Sequence, residues 1–174
     1  MITLINTNCN SNFIKYYEAL INNLNTNKYH CPNCRHNTLI KWGKYKRKIK
    51  LPEAIGTLSI QRVRCGECKK THSILPSFLV PYSQVLLMDQ IDIINTYNIK
   101  NKFVDILERN PYLELSNIMR IIKSYLKYWK QRLISADISL NDTISNIVFK
   151  VSSIYNKQFM QIRCTINSFQ VPPT

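Results

Sequence analysis

KYHCPNCRHNTLIKWGKYKRKIKLPEAIGTLSIQRVRCGECKKTH, residues 28–72, holds two Cys-x-x-Cys pairs, Cys31/Cys34 and Cys65/Cys68. Each pair can place two sulfurs on one ion, and four such sulfurs close a tetrahedral zinc site. Thirty residues separate Cys34 from Cys65, enough for two or three short strands hinged on the metal. The stretch carries twelve Lys and Arg against Glu53 and Glu67, which is +10 of the +14 carried by the whole chain. Metal ligands and charge therefore fall in the same place. A segment of about 45 residues barely exceeds the size below which a domain needs a metal or disulfides to fold, so zinc would supply folding free energy. Pro32 and Gly66 suit the tight knuckle in which backbone N–H groups point at thiolate sulfur.

Outward from this stretch the chain divides into four expected parts. Residues 1–27 contain one amphipathic helix, with Phe13, Ile14, Tyr17, Leu20, Ile21 and Leu24 on one face and Asn10 or Ser11 as N-cap, followed by an Asn-rich linker. Residues 28–72 form the ribbon, with short strands at 39–43 and 44–50 separated by Gly43 and a return strand at 57–64. Residues 71–82 read as a proline-punctuated apolar connector. Residues 73–135 turn helical: Ser83 caps a helix with Leu86, Leu87, Ile91 and Ile94 inward, and a short helix follows at 101–109 with Phe103, Ile106 and Leu107 on one side. After Pro111, Ser116 caps a longer helix at 117–133, with Ile118, Ile121, Ile122, Tyr125, Trp129 and Leu133 on its apolar face. Two short helices, a turn and a longer basic helix outline a helix-turn-helix unit. Residues 136–174 are mixed, with a candidate strand at 159–169. The fold class expected is α+β: a small β zinc ribbon preceded by one helix and followed by a helical unit.

A chain of 174 residues suits one domain or two small ones. No apolar run approaches the ~20 residues of a membrane span, and the N-terminus lacks the pattern of a signal peptide. A cytoplasmic location is expected, nucleoid-associated if DNA is bound, where paired cysteines are metal ligands more often than disulfides. Rubredoxin iron is held by the same pair spacing, but rubredoxins are acidic. Here Lys41, Lys44, Lys46, Arg47, Lys48 and Lys50 lie within ten residues. His30, His36 and His72 flank the pairs and read as polar residues or donors behind the four thiolates. Cys9 and Cys164 read as free thiols.

The basic residues are the candidate nucleic-acid contacts. Lys and Arg neutralise phosphates and release counterions, which gives affinity with little sequence information. On the ribbon these are Lys41, Lys44, Lys46, Arg47, Lys48, Lys50, Arg62, Arg64, Lys69 and Lys70, with Trp42 and Tyr45 placed to stack on bases or sugars. On the long helix Asn117, Arg120, Lys123, Ser124 and Lys127 stand on the polar side, where base-edge contacts arise in helix-turn-helix proteins. No catalytic set emerges: the ten acids are scattered, and Asp89/Asp92 lie on a helix that reads as structural. A non-enzymatic protein with one structural zinc ion is expected, with no small-molecule substrate.

Cys-Pro-Asn-Cys (31–34), Lys-Trp-Gly-Lys-Tyr-Lys-Arg (41–47) and Arg-Val-Arg-Cys-Gly-Glu-Cys-Lys-Lys-Thr-His (62–72) resemble the N-terminal zinc ribbon of insertion-sequence transposases. The likeness is nearest to uncharacterised bacterial transposase-like proteins in which a Thr-His-x-x-Leu-Pro-x-x-x-x-Pro-Tyr run, here 71–82, follows the ribbon. It covers about residues 28–135. It implies that Cys31, Cys34, Cys65 and Cys68 are the ligands and that ribbon and helix-turn-helix bind duplex DNA at transposon ends. The transposases' Asp-Asp-Glu nuclease domain does not carry over, because about forty residues remain after the helical part. Two other partner classes fit the charge: a protein such as a polymerase, a transposase subunit or a second copy of the chain, and RNA bound through Trp42 and Tyr45.

Overall fold

A computed structural model of the chain describes residues 2–4 and 13–155. The expected N-caps Asn10 and Ser11, the strand at 159–169, and Cys9 and Cys164 lie outside the described residues. The fold is α+β, with a four-stranded mixed sheet followed by helices. The chain separates into two compact units, one holding residues 1–48 and 57–76, the other residues 49–56 and 77–174.

The first unit contains β1 (Ile2–Leu4), α1 (Phe13–Asn22), β2 (Leu39–Lys50), β3 (Ile55–Cys65) and β4 (Thr71–Pro76), in the sheet order β1-β4-β3-β2. The end of β2 and the start of β3 group with the second unit. β1 runs parallel to β4, with Ile2 opposite Ile74, and β3 runs antiparallel to β4, with Val63 opposite His72. Two expectations change here. Residues 71–76, read as part of a connector, form β4 in the middle of the sheet. In the apolar run Ile74-Leu75-Pro76 the side chains of Ile74 and Leu75 point to opposite faces and both are buried, so the run lacks the alternation of a half-exposed strand. The two short strands around Gly43 are one continuous β2. Gly43 takes φ 92, and in β3 the buried positions change parity between Ile60 and Gln61. The Gln61 amide bridges the two strands at this point, donating from Nε2 to the Gly43 carbonyl at 2.9 Å.

α1 buries Tyr17 and Ile21, the centre of the predicted face. The Tyr17 hydroxyl, fully buried, donates to the Ile74 carbonyl at 2.8 Å and accepts from the Gln61 N–H at 3.2 Å. One side chain thereby ties the helix to β3 and β4.

The second unit is helical: α2 (Leu87–Lys100), α3 (Phe103–Arg109), α4 (Leu115–Ser124), a π-helical turn (Tyr125–Trp129), α5 (Lys130–Ser135) and α6 (Ile144–Tyr155). Ile91, Ile94, Ile106, Ile118, Ile122, Trp129, Leu133, Ile147 and Val151 are among the buried residues of one continuous core. The predicted apolar face of the long helix is the one buried, but the helix starts earlier and passes through the π turn. Neither expected serine cap holds. Glu114 occupies the N-cap of α4, and Leu86 that of α2. Ser83 instead closes a local turn, its Oγ accepting from the Val85 N–H and the Gln90 amide. Phe103, assigned to an apolar face, is exposed at the first residue of α3, and Ile106 carries the packing. α6 was not anticipated. The Thr143 hydroxyl caps it from the Asn146 N–H at 3.3 Å, and Ile147, Val148 and Val151 are buried at helical spacing.

Burial pushes the Tyr17 phenol up to about 12, with Tyr45 adding to the shift and the Gln61 N–H opposing it. A raised phenol stabilises the fold fully below its ordinary value near 10 and loses that contribution as pH rises towards 12. Tyr17→Phe removes one donor and strands the Gln61 N–H, so it should cost about 1–3 kcal/mol in denaturant titrations at pH 7. The difference from the parent should shrink between pH 10 and 12.

Candidate metal centre

The two cysteine pairs form two copies of one backbone turn. In the first, the Cys31 N–H donates to the His36 carbonyl at 2.8 Å, and in the second the Cys65 N–H donates to the Lys70 carbonyl at 3.0 Å. Both close over five residues, and in both the residue after the second cysteine is left-handed, Arg35 at φ 64 and Lys69 at φ 59. The left-handed residue turns the chain back, so that successive N–H groups face the first sulfur. Thus the Asn33 N–H points at Cys31 Sγ at 3.4 Å. Gly66 allows the second turn to approach the strand start: its N–H donates to the Thr38 carbonyl at 2.7 Å, and a Cβ there would sit 3.2 Å from Thr38 Cβ.

The turns bring all four sulfurs to within 4.8 Å of one another, with Cys31 to Cys68 and Cys34 to Cys65 each at 3.5 Å. These separations are far too long for a disulfide, whose sulfurs lie about 2.05 Å apart. They bracket the roughly 3.8 Å edge of a tetrahedron with zinc–sulfur bonds of about 2.3 Å. All four cysteines are free thiols. The donor set therefore fits a tetrathiolate metal ion.

The surroundings favour the thiolate form. Burial pushes the Cys65 thiol up, but the Cys68 N–H, the Thr38 hydroxyl, the Glu67 N–H and the Cys34 thiol outweigh it and bring it down to about 6. His72, opposite Val63 in β4, places Nε2 3.2 Å from Cys31 Sγ. That puts it behind a ligand as a hydrogen-bonding partner, as read from the sequence. Burial first, then nearby positive charge including Lys70, holds its imidazole below the usual histidine range.

The charged residues fare unevenly. Lys44, Lys46, Lys48 and Arg62 are exposed and form no ion pair among the described residues. Trp42 is 48% exposed, and the Arg64 guanidinium stacks 4.6 Å from its ring centroid. Tyr45 is exposed and Arg47 half-buried, with burial lowering the Arg47 guanidinium's basicity against the support of Tyr45. Four other lysines have internal work. Lys41 Nζ donates to the Ile21 and Asn22 carbonyls at the end of α1. Lys69 Nζ bonds the Gly66 carbonyl, and Lys70 Nζ bonds Asn33 Oδ1 at 2.7 Å, which links the two knuckles. Lys50 Nζ pairs with Glu114 at 2.7 Å, in the second unit.

On the long helix Arg120, Lys123 and Lys127 are exposed and Ser124 is half-buried. Asn117, placed on the polar side by spacing, is buried and accepts from Arg120 Nη2 at 3.4 Å. Asn117 lies four and eight residues before Ile121 and Tyr125, which puts it on the edge of the buried stripe. Asp89 and Asp92 serve structure: Tyr112 hydrogen-bonds Asp89, and Arg109 pairs with Asp92 at 3.2 Å.

A family model described as a domain of unknown function, DUF6431, matches residues 31–104, fewer than half of the 174. The match starts on the first cysteine ligand, includes all four, and ends inside α3. No curated protein and no solved structure matches the chain.

Purified protein should hold one equivalent of zinc. Replacement by cobalt should give the intense visible bands of a tetrahedral tetrathiolate, and Cys34→Ser should weaken metal retention while altering those bands. Chelation should raise amide exchange at 31–36 and 65–70, where the knuckles lie, and leave α2 and α4 protected, because their core contains no ligand. Loss of protection throughout α2 and α4 on chelation would contradict this.

Proposed function

We propose that the chain is a non-catalytic double-stranded DNA-binding protein whose zinc ion holds a cationic strand pair in shape, in the manner of transposase end-binding modules or of a transcription regulator. The observation that carries this reading is the set Lys44, Lys46, Lys48 and Arg62. They project from β2 and β3, the strands that join the two cysteine knuckles, and form no ion pair among the described residues. A cation already paired to a carboxylate has to break that pair to meet a phosphate, and these four do not. They suit contact with a polyanion whose charges repeat along its length, and duplex DNA has that property.

The metal supports the reading through its donor set. Four thiolates leave zinc no position for substrate or water, so the ion is structural and the chain carries out no reaction at it. The resemblance of residues 28–135 to the transposase ribbon supplies DNA ends as the target class. The succession of α2, α3 and α4 is compatible with the helix-turn-helix outline expected from the sequence, in which α4 would be the recognition helix. Among the described residues no helix is long and apolar enough to cross a membrane.

The salt dependence of binding tests the proposal. Four phosphate contacts give a slope of log K against log salt near −3.6 on duplex DNA, since each released counterion contributes about −0.9. Lys44→Gln, Lys46→Gln and Lys48→Gln together should reduce the slope to about −1 and lower affinity at low salt, with the zinc content unchanged. Lys50→Gln should leave the slope as it is, because Lys50 already pairs with Glu114. A slope near zero for the parent protein would exclude duplex binding through these residues.

A further inference from the structure

The exposed side of α4 and the π turn is hollow. Met119, Arg120, Lys123, Lys127 and Tyr128 line a groove of about 440 Å³. A smaller hollow shares Arg120, Ser124 and Tyr128 with it and is bounded by Pro81, Tyr82 and Ser83. The loop before α2 therefore stands beside the polar face of α4. No acidic side chain lines either hollow. A helix that enters the major groove does so as a projecting ridge. A helix face with a wall beside it and a cavity on it is better shaped to receive something small.

Its lining says what kind. Three cations and the Tyr128 ring line the groove, and Tyr82 borders the adjoining hollow. Tyr82 is 80% exposed, and its backbone is left-handed at φ 60, a conformation that is uncommon for a bulky aromatic residue and costs free energy. An exposed aromatic ring held there gains nothing for a core. Lys127 Nζ lies 5.1 Å from the Tyr128 ring centroid, so charge and ring face are presented together. The π turn at Tyr125–Trp129 carries both residues, and such turns occur often at functional sites. The volume lies within the range of small-ligand clefts.

We propose that this groove takes an unpaired nucleotide of a single-stranded nucleic acid, with Arg120, Lys123 and Lys127 on its phosphates and the rings of Tyr82 and Tyr128 available to its base. The proposal rests on the nucleic-acid reading above and alters it for the helical unit, which selects an unpaired strand while the cationic strands of the ribbon hold duplex. Stacking is sequence-tolerant because every base has a π face, so little sequence preference is expected. The groove's cationic lining lies beyond the stretch matched by the family model, which ends before α4 begins, while Tyr82 lies within it.

Fluorescence polarisation of the full zinc-loaded chain tests this, with a labelled 20-nucleotide single strand and with the same strand as a blunt duplex. Tyr82→Gly should lower single-strand affinity about tenfold, within the range measured for loss of a stacked aromatic, and leave duplex affinity within about twofold. Glycine accepts the left-handed backbone without strain, and the melting temperature measured alongside separates loss of stacking from loss of fold. Lys123→Glu with Lys127→Glu should lower single-strand affinity at least as far. Unchanged single-strand binding in both variants overturns the proposal, as does an equal fall for duplex and single strand. If the triple lysine variant of β2 weakens duplex binding while Tyr82→Gly leaves the single strand unaffected, this inference fails and the duplex reading stands. If the parent protein binds neither form, both fall.

Discussion

Four thiol sulfurs gathered within 4.8 Å cannot all ionise without a cation among them. Mutual repulsion of four thiolates would keep the group protonated or drive it apart, and the knuckle hydrogen bonds offset only part of that cost. The geometry thus suits a metal-bound state, and much of the first unit depends on it. β2 begins just beyond the first knuckle, β3 ends on Cys65, and β4 starts just after the second knuckle. One ion held by the four sulfurs would fix the relative position of three strand ends. The opposite side of the sheet is held by ordinary burial, with Tyr17 locked between Ile74 and Gln61. Metal and tyrosine act on different parts of the same sheet, so removal of either leaves the other in place.

The cysteine cluster was legible in the sequence because its chemistry is local: two identical spacings, each closed by its own turn. The apolar face of the long helix was legible for a similar reason, since every buried position from Ile118 to Leu133 follows one period. What was missed depends on partners distant in sequence. β4 was read as a connector because its apolar run shows no alternation, and it shows none because both faces are covered there, Ile74 and Leu75 being buried on opposite sides. The ribbon was expected to stand apart from the N-terminal helix, yet α1 and β1 belong to the same compact unit and supply core that the ribbon lacks. Gly43 was read as a break, whereas β2 runs through it at φ 92, a backbone conformation that glycine adopts without strain. For α6 the signal was present, in Thr143 followed by Ile144, Ile147, Val148 and Val151.

Charge is the property that a composition most readily overstates. Counting places ten net positive charges between residues 28 and 72. Coordinates divide those cations by what they touch. Lys41 answers the carbonyl end of α1, where a cation is favoured by the helix dipole. Lys69 and Lys70 brace the knuckles, and Lys50 meets a carboxylate whose acidity it strengthens, holding Glu114 below its ordinary range. These lysines would read in any sequence scan as phosphate contacts. Their geometry makes them part of the scaffold, and a salt-linked affinity counts only charges that are free to exchange a counterion for a phosphate.

That division bears on why a metal is suited to such a surface. Lys44, Lys46 and Lys48 fall on alternate positions of one strand, so they share a face with like charges about two residues apart. Like charges that close repel in the free protein, and a flexible chain would relieve the repulsion by spreading out. A strand pinned at the knuckles, and bonded along its length to β3, cannot do so. On the proposed reading that repulsion is present before a polyanion arrives and would be relieved on contact, while the backbone has little ordering entropy left to lose. A metal bound at the knuckles would contribute to binding in this way without touching the ligand, by keeping the cations crowded.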